Sequence, residues 1–192
     1  MFRLGLKNLG HKLFRMEMDQ KTRAVFFDRD GVINEVFIDE DGSPFSPKKL
    51  DEFKLKPGII GVIKGIHDLG YRTIIITNQP NIARGLTKPE ELEEINDFLR
   101  EELDIDDLAF CPHDDDDNCY CRKPKPGMIE EMAKKYNIDL EKSFMIGDTI
   151  RDVGAGEAVG CQTIIVDTDY NQGVKAHHRV ESILDITDII KK

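Results

Sequence analysis

The chain has 192 residues, 40% of them hydrophobic, and a formal net charge of −10 at pH 7. This length predicts one domain with a substantial core, and no apolar run approaches membrane-spanning length. The acidic balance argues against non-specific nucleic-acid binding over the whole surface, although a few cations can still bind an anionic substrate. Three of the four cysteines share one short segment, which favours a metal site in a reducing compartment over disulfides.

Residues 1–22 are predicted to stand apart, as an arm or tail, from a domain that spans residues 23–192. They lack the continuous apolar core and small-residue cleavage site of a secretory signal. Apolar side chains recur there at helical spacing between basic residues, namely Leu6, Leu9, Leu13 and Phe14. A basic amphipathic helix can lie on a membrane, but a packing arm, an oligomer contact or a loose tail is the favoured interpretation.

The first predicted strand is the apolar run from Ala24 to Phe27, and Asp28 and Asp30 follow it at once. Ligands bind beyond the carboxyl ends of strands in open α/β sheets. Two carboxylates this close repel each other unless a cation such as Mg²⁺ lies between them. One could then attack phosphorus while the other transfers a proton. On its own, Asp-x-Asp-Gly is better explained as a turn, so this interpretation depends on a phosphate site elsewhere in the chain.

Residues 35–56 are predicted to form a surface excursion, because Asp-Glu-Asp-Gly and two prolines are turn signals. A β-hairpin fits this segment, with Val36 to Ile38 as one arm. A long loop near the acid pair can help to select the substrate. A purely structural excursion explains the pattern equally well.

Polar side chains also follow the second predicted strand, Thr73 to Ile76. They are Thr77, Asn78 and Gln79, and Arg84 lies in the same loop. The hydroxyl and amides could hydrogen-bond a phosphoryl oxygen or could cap the loop. Arg84 is a candidate anion contact, and a solvated arginine is the alternative.

A cysteine and histidine cluster has the spacing C-x-H-x₅-C-x-C and consists of Cys111, His113, Cys119 and Cys121. Three thiolates and one imidazole match a closed tetrahedral zinc site, which predicts a structural and not a catalytic Zn²⁺. A disulfide between Cys119 and Cys121 would be badly strained. The acidic run 114–117 between the two halves of the cluster is predicted to be the solvated tip of the loop.

Two cations follow the cluster directly, Arg122 and Lys123. A loop fixed by a metal can present them with little conformational freedom left to lose. Lys123 suits the transferring phosphoryl group, and Arg122 offers a fork for a second anionic group. Asp148 follows the strand from Ser143 to Ile146 and would complete a Mg²⁺ site with Asp28 and the carbonyl of Asp30. Asp152 either supports that site or is favoured there by the helix dipole.

The remaining predicted elements alternate between strand and helix. This alternation predicts an α/β fold, a three-layer, Rossmann-like parallel sheet with helices on both faces. It also brings the polar strand ends to one edge of the sheet. This convergence favours a catalytic role for Asp28 and Asp30 over a simple turn. The further helices are expected near 57–69, 89–103, 128–136, 154–158 and 183–190, and the further strands at 108–110 and 163–166.

The motifs DRDG, TNQ, RKP and GD-xxx-D, in this order at strand ends, resemble the haloacid dehalogenase superfamily. The segment CPH…CYCRKPKPGM narrows the resemblance to the zinc-containing branch with histidinol phosphatases and D-glycero-D-manno-heptose 1,7-bisphosphate phosphatases. The resemblance covers roughly residues 23–168 and implies a HAD-like fold without a large cap domain but with a small zinc-bound loop. It implies these roles: Asp28 as nucleophile, Asp30 as acid and then base, Thr77 and Lys123 as phosphoryl stabilisers, Mg²⁺ at Asp28, Asp30 and Asp148, and substrate contacts from Asn78, Gln79, Arg84 and Arg122.

The substrate is harder to predict than the chemistry. The segment NQPNIARG is similar to NQSGIARG of the heptose enzymes, and PKPGM also favours them. The short zinc loop is more similar to histidinol phosphatases, Thr149 stands where the heptose enzymes usually have Lys, and residues 35–56 replace their shorter loop. The expected function is a Mg²⁺-dependent phosphatase, with heptose 1,7-bisphosphate 7-phosphatase favoured. A histidinol-phosphate phosphatase and a catalytically silent phosphosugar-binding protein are the alternatives.

The expected partner is therefore a small phosphorylated metabolite, with no nucleic acid and no membrane. An aromatic and basic tract of the kind that binds nucleic acid is missing from the sequence. We expect a cytoplasmic monomer or small homo-oligomer.

Overall fold

The computed structural model describes residues 21–191, so nearly all of the predicted arm, residues 1–20, lies outside the described part. Within that part, none of the helices combines the length and the apolar character needed to cross a bilayer. The strands are β1 (Arg23–Phe27), β2 (Phe37–Ile38), β3 (Pro44–Phe45), β4 (Tyr71–Asn78), β5 (Asp107–Cys111), β6 (Phe144–Gly147), β7 (Gln162–Val166) and β8 (His178–Val180). The α-helices are α1 (Ile59–Asp68), α2 (Pro89–Glu102), α3 (Gly127–Tyr136), α4 (Ile150–Glu157) and α5 (Ile186–Ile190).

Six strands form one parallel sheet in the order β5-β4-β1-β6-β7-β8. β1 lies inside the sheet, and its alternate side chains point to opposite faces. Val25 and Phe27 pack in a cluster with α1, α2 and α5, whereas Ala24 and Phe26 pack in a second cluster with α3 and α4. The predicted parallel sheet with helices on both faces is confirmed.

The central position of β1 decides where the polar strand ends lie. β1 pairs with β4 on one side and with β6 on the other, and Phe27 is in register with Ile75 and Ile146. The residues that leave these three strands therefore meet at one edge of the sheet. We call this the carboxyl edge.

The predicted hairpin is present as the antiparallel pair β2 and β3. The sequence analysis missed β8, a three-residue edge strand in which only Val180 is buried. The predicted last helix is also too long, because Ile183–Asp185 form a 3₁₀ turn before α5.

The opposite edge of the sheet, which we call the amino edge, carries a charged network around Asp106. Its carboxylate accepts hydrogen bonds from Arg72 Nη1 at 2.5 Å and from the Thr73 amide at 2.8 Å. His67 Nε2 lies 3.2 Å from the same carboxylate. The His67 side chain is 25% exposed. The network links α1 to β4 and to the loop before β5.

Candidate active site

A cavity of about 180 Å³ opens at the carboxyl edge. Its wall combines strand ends, the hairpin and the loop that follows the cysteine and histidine cluster. The lining residues are Asp28, Asp30, Val36, Pro44, Phe45, Ser46, Thr77, Asn78, Pro80, Arg122, Lys123, Asp148, Thr149, Arg151 and Asp152.

Lys123 is the buried cation of this cavity, with 2% of its side chain exposed. Its ammonium nitrogen lies 2.8 Å from Asp28 Oδ1 and 2.6 Å from Asp152 Oδ1, and it donates to the Ile76 carbonyl at 3.0 Å. Burial alone would lower the pKa of Lys123, but the two carboxylates outweigh burial and raise it. Lys123 therefore remains charged although its side chain is buried.

Three carboxylates crowd around this single ammonium group. Asp28, Asp148 and Asp152 each place an oxygen within 4.8 Å of the others. Burial and the charge of Asp152 raise the pKa of Asp28 well above its usual range, and the same two causes raise the pKa of Asp148 to about 7. When all three carboxylates are ionised, the four groups have an excess of two negative charges, and a divalent cation would relieve the repulsion.

The orientation of Asp148 also fits a metal ligand. The Tyr170 hydroxyl donates to Asp148 Oδ2, whereas Asp148 Oδ1 is buried without a hydrogen-bond partner among the described residues. A buried carboxylate oxygen without a partner is costly in a protein interior. Oxygen is the ligand that Mg²⁺ prefers, so the residues present fit that ion.

Gly31 keeps the space beside Asp148 open. It has φ = 86°, a left-handed conformation that glycine adopts without a steric penalty. A Cβ atom at this position would lie 1.8 Å from Asp148 Oδ2. A side chain at position 31 would therefore clash with Asp148, which follows β6. Glycine is needed here for space as well as for the turn.

Asp30 lines the same cavity, but its carboxylate is held by neighbours. The fully buried Arg29 donates to both oxygens, Gln79 Nε2 donates to Oδ2 at 2.8 Å and Asn34 Nδ2 donates to Oδ1 at 3.0 Å. Burial alone would raise the pKa of Asp30, but the Arg29 guanidinium outweighs it and lowers the pKa. In this arrangement Asp30 is ionised.

The three residues of the TNQ motif make different contacts. Thr77 is 1% exposed and lines the cavity. Gln79 lies behind it and donates to Thr77 Oγ1 at 2.9 Å. Asn78 exchanges two hydrogen bonds with the backbone of Lys123, one in each direction. The Asn78 amide therefore holds the segment that carries the lysine.

The four residues of the cysteine and histidine cluster lie together in the structure. The sulfur atoms of its three cysteines lie 3.2–3.6 Å apart, and His113 Nδ1 lies 3.3 Å from Cys121 Sγ. These separations are too long for disulfide bonds and match four donors around one ion. Burial raises the pKa of the Cys111 thiol to about 12, so a cation is needed to stabilise its thiolate. The cluster fits Zn²⁺.

The loop between the two halves of this cluster contacts three arginines. Asp114 accepts a two-pronged pair from Arg84, at 2.5 and 2.7 Å. Asp115 accepts from Arg122 Nε at 2.8 Å and from Arg151 Nη2 at 3.1 Å. Asp115 to Asp117 are exposed, as the prediction of a solvated tip requires, but Asp114 and Asp115 also pair with arginines, which the prediction did not include.

The structure brings most of the predicted site residues together, with two exceptions. Asp28, Asp30, Thr77, Asn78, Arg122, Lys123 and Asp148 line the cavity. Gln79 lies behind Thr77, and Arg84 is paired with Asp114 outside the lining.

Sequence reasoning missed Arg29, Tyr170, Asn171 and Arg151. Asn171 donates to the Asp148 carbonyl at 2.8 Å, so the loop after β7 supports the Asp148 turn from below. The polar run after β7, Thr-Asp-Tyr-Asn, was the available signal, because it also follows the carboxyl end of a strand.

Comparison with known proteins agrees with this geometry. A family model for haloacid dehalogenase-like hydrolases matches residues 45–160. D-glycero-alpha-D-manno-heptose-1,7-bisphosphate 7-phosphatase of Photorhabdus laumondii is 41% identical over 152 residues, 73% of this chain and 79% of that protein. D-glycero-beta-D-manno-heptose-1,7-bisphosphate 7-phosphatase of Helicobacter pylori is 40% identical over 141 residues, 70% of this chain and 77% of that protein.

A solved structure shows the same architecture. D,D-heptose 1,7-bisphosphate phosphatase of B. bronchiseptica, complexed with magnesium and phosphate, superposes with a TM-score of 0.77 at 29% identity. The alignment covers 88% of this chain and 98% of that one. The chain therefore belongs to the haloacid dehalogenase-like hydrolases, in the group that includes the heptose bisphosphate phosphatases, and it is a phosphoric monoester hydrolase.

Proposed function

We propose that this enzyme is a Mg²⁺-dependent phosphatase that removes the 7-phosphate of D-glycero-D-manno-heptose 1,7-bisphosphate through an aspartyl-phosphate on Asp28. The observation that carries the proposal is the meeting of Asp28, Asp148 and Lys123 at one cavity. The names of the relatives supply the substrate.

Asp28, Asp148 and the backbone carbonyl of Asp30 would hold the Mg²⁺. The ion supplies positive charge that lets an anionic ester approach an anionic nucleophile. Asp28 forms the new bond to phosphorus while the sugar oxygen leaves. Lys123, held by Asp152 and by the Ile76 carbonyl, stabilises the negative charge on the phosphoryl oxygens. The Thr77 hydroxyl lines the same space and donates to one of these oxygens.

Asp30 moves the protons in both halves of the reaction. Protonated Asp30 gives its proton to the departing sugar oxygen, and the resulting carboxylate then takes a proton from the water that hydrolyses the aspartyl-phosphate. For the second role, Arg29 lowers the pKa of Asp30 and so keeps the carboxylate ionised and able to accept a proton. For the first role, the carboxyl group turns away from Arg29 and towards the leaving oxygen. Away from the guanidinium its pKa rises, so the protonated form is favoured there.

The four residues of the cysteine and histidine cluster would hold a structural Zn²⁺. Two residues later the chain reaches Lys123, so the ion limits the motion of the loop that presents Arg122 and Lys123 to the cavity. We expect the enzyme to work in the cytoplasm, where thiols remain reduced. A monomeric or small homo-oligomeric state stays a prediction.

The substrate is tested by phosphate release from both anomers of the heptose bisphosphate, heptose 7-phosphate and histidinol phosphate. One relative is named for the α anomer and another for the β anomer, so each anomer is assayed separately. We expect kcat/KM for one anomer to exceed that for histidinol phosphate at least tenfold. Preference for histidinol phosphate, or inactivity with every heptose compound in the presence of Mg²⁺, would overturn the proposed substrate.

A further inference from the structure

Two guanidinium groups line the cavity from separate elements, one with 9% and the other with 42% of its side chain exposed. Arg122 follows the cysteine and histidine cluster, and Arg151 lies in the first turn of α4. Both line the cavity. The carboxylate of Asp115 joins them, since its Oδ1 accepts from Arg122 at 2.8 Å and its Oδ2 accepts from Arg151 at 3.1 Å. We call these three residues the arginine rim.

Neighbouring residues of α4 point to different parts of the site. Asp152 is 1% exposed and its carboxylate lies against Lys123. The Arg151 side chain is 42% exposed and sits at the rim. The same helical turn therefore supplies one group to the phosphoryl-transfer centre and one group to the arginine rim.

Arg151 has donors to spare. Among residues 21–191, its hydrogen bond to Asp115 is the one recorded for its side chain. A guanidinium has five N–H donors in a fixed fork that matches carboxylate and phosphate oxygens. Within the arginine rim, two guanidinium groups face the single carboxylate of Asp115. Asp114, which pairs with Arg84, also lies 3.9 Å from Arg122, so Arg151 is the rim arginine with the fewer acidic partners.

We infer that Arg151 determines the preference of the enzyme for substrates with a second anionic group. That group, a phosphate or carboxylate remote from the ester that is cleaved, binds between Arg151 and Arg122. Asp115 holds both forks near this position before the substrate arrives, which lowers the entropy cost of binding. The inference rests on the proposed function and deepens it, because the 1-phosphate of a heptose bisphosphate would be such a group.

The test compares substrate pairs that differ only in the second phosphate. Heptose 1,7-bisphosphate is paired with heptose 7-phosphate, and fructose 1,6-bisphosphate with fructose 6-phosphate. We expect Arg151→Gln to lower kcat/KM for the preferred bisphosphate about tenfold, mainly through KM, because one charge-assisted contact is lost. The paired monophosphate should change less than about twofold, and Arg151→Lys should recover part of the loss as a point charge without the fork.

A matched control is available on α2. Arg100 is similarly exposed, at 44%, and pairs with Glu93 and Asp97, so Arg100→Gln removes the same charge outside the cavity. We expect it to leave both substrates unchanged. A tenfold effect there would mean a general loss of charge and would overturn the inference.

Other outcomes separate the inference from the proposed function. An equal loss for both members of a pair would show that Arg151 only steadies the loop, and no loss for any bisphosphate would show that it is not used. Either result overturns the inference. If wild-type protein prefers fructose 1,6-bisphosphate and ignores the heptose, the proposed substrate fails, while loss of that preference in Arg151→Gln still supports the role of Arg151.

Discussion

The two edges of the sheet both carry acidic clusters, but they satisfy them differently. At the amino edge, Asp106 is saturated by Arg72, Thr73 and His67. At the carboxyl edge, Asp148 keeps a buried oxygen without a partner, and burial and neighbouring charge raise its pKa to about 7. Asp106 thus has a partner on each carboxylate oxygen, although Arg72 Nε beside it is buried without one among residues 21–191. Asp148 lacks such a partner on one oxygen, at the cavity where we propose that a cation and a phosphate ester bind.

The buried carboxylates of the carboxyl edge should lower the stability of the folded protein when no metal is bound. Removing carboxylates from water is unfavourable unless opposite charge replaces the water. Lys123 supplies part of that charge to Asp28 and Asp152. Changes at the carboxyl edge should therefore affect activity far more than stability, and changes at the amino edge should do the reverse.

The largest effect is expected for Asp28→Asn. Turnover should fall by about 10⁴-fold or more, because the amide cannot act as the nucleophile. Without metal, the variant should unfold at the same or a higher temperature than wild type. The substitution removes a buried carboxyl group whose raised pKa shows that its ionised form is unfavourable in the folded protein. Steady-state kinetics and thermal unfolding check both parts. Activity within tenfold of wild type would contradict the assignment of the nucleophile.

A smaller loss is expected for Cys119→Ser, which removes one donor of the cysteine and histidine cluster. Zinc content should fall below one ion per chain, and kcat should fall about 100-fold because Lys123 loses its fixed position. Elemental analysis and kinetics provide the measurement. Cys161→Ala is the matched control, since Cys161 is buried in the apolar core outside the cluster, and it should keep both zinc and activity. Full activity of zinc-free Cys119→Ser would refute the role of the loop.

The next effect is expected for Tyr170→Phe. The variant loses the hydrogen bond that orients Asp148, so the Mg²⁺ concentration for half-maximal activity should rise about tenfold. At saturating Mg²⁺, kcat should stay within about threefold of wild type. Tyr136→Phe is the control, because that hydroxyl donates to Asp107 near the amino edge. An unchanged Mg²⁺ requirement in Tyr170→Phe would show that the Tyr170 hydroxyl does not position Asp148 for the metal.

The smallest effect on turnover is expected for Asp106→Asn at the amino edge. The free energy of unfolding should fall by about 2 kcal/mol, which lowers the melting temperature by about 5 °C for a protein of this size. Values of kcat and KM should remain within about twofold of wild type. Denaturant unfolding and kinetics on the folded variant decide the matter, and a tenfold change in kcat would remove the distinction between the two edges.

The sequence predicted those parts of the site that depend on topology or on local spacing. Asp28 and Asp148 follow strands that a parallel sheet must bring to one edge. The four residues of the cysteine and histidine cluster lie within one loop, so their assembly depends on few distant contacts. Such features are visible because the chain itself determines the distances.

Features that depend on long-range pairing could not be predicted in this way. Arg84 is separated by 30 residues from Asp114, with which it pairs. Asn78 lines the cavity, and its amide also bonds to the backbone of Lys123, 45 residues away, which its sequence position did not indicate. Tyr170 reaches Asp148 from the loop after β7. In each case the side chain has several chemically reasonable partners, and only the packing of distant segments selects one.

The most direct test of the account is to trap the phosphoryl group on Asp28. Wild-type protein is mixed with Mg²⁺ and heptose bisphosphate, quenched with borohydride and analysed by peptide mass spectrometry. An aspartyl-phosphate would be reduced to homoserine at position 28, dependent on both substrate and Mg²⁺ and missing in Asp28→Asn. Steady turnover with an unmodified Asp28, or homoserine at another aspartate, would contradict the claim that Asp28 at the carboxyl edge is the nucleophile.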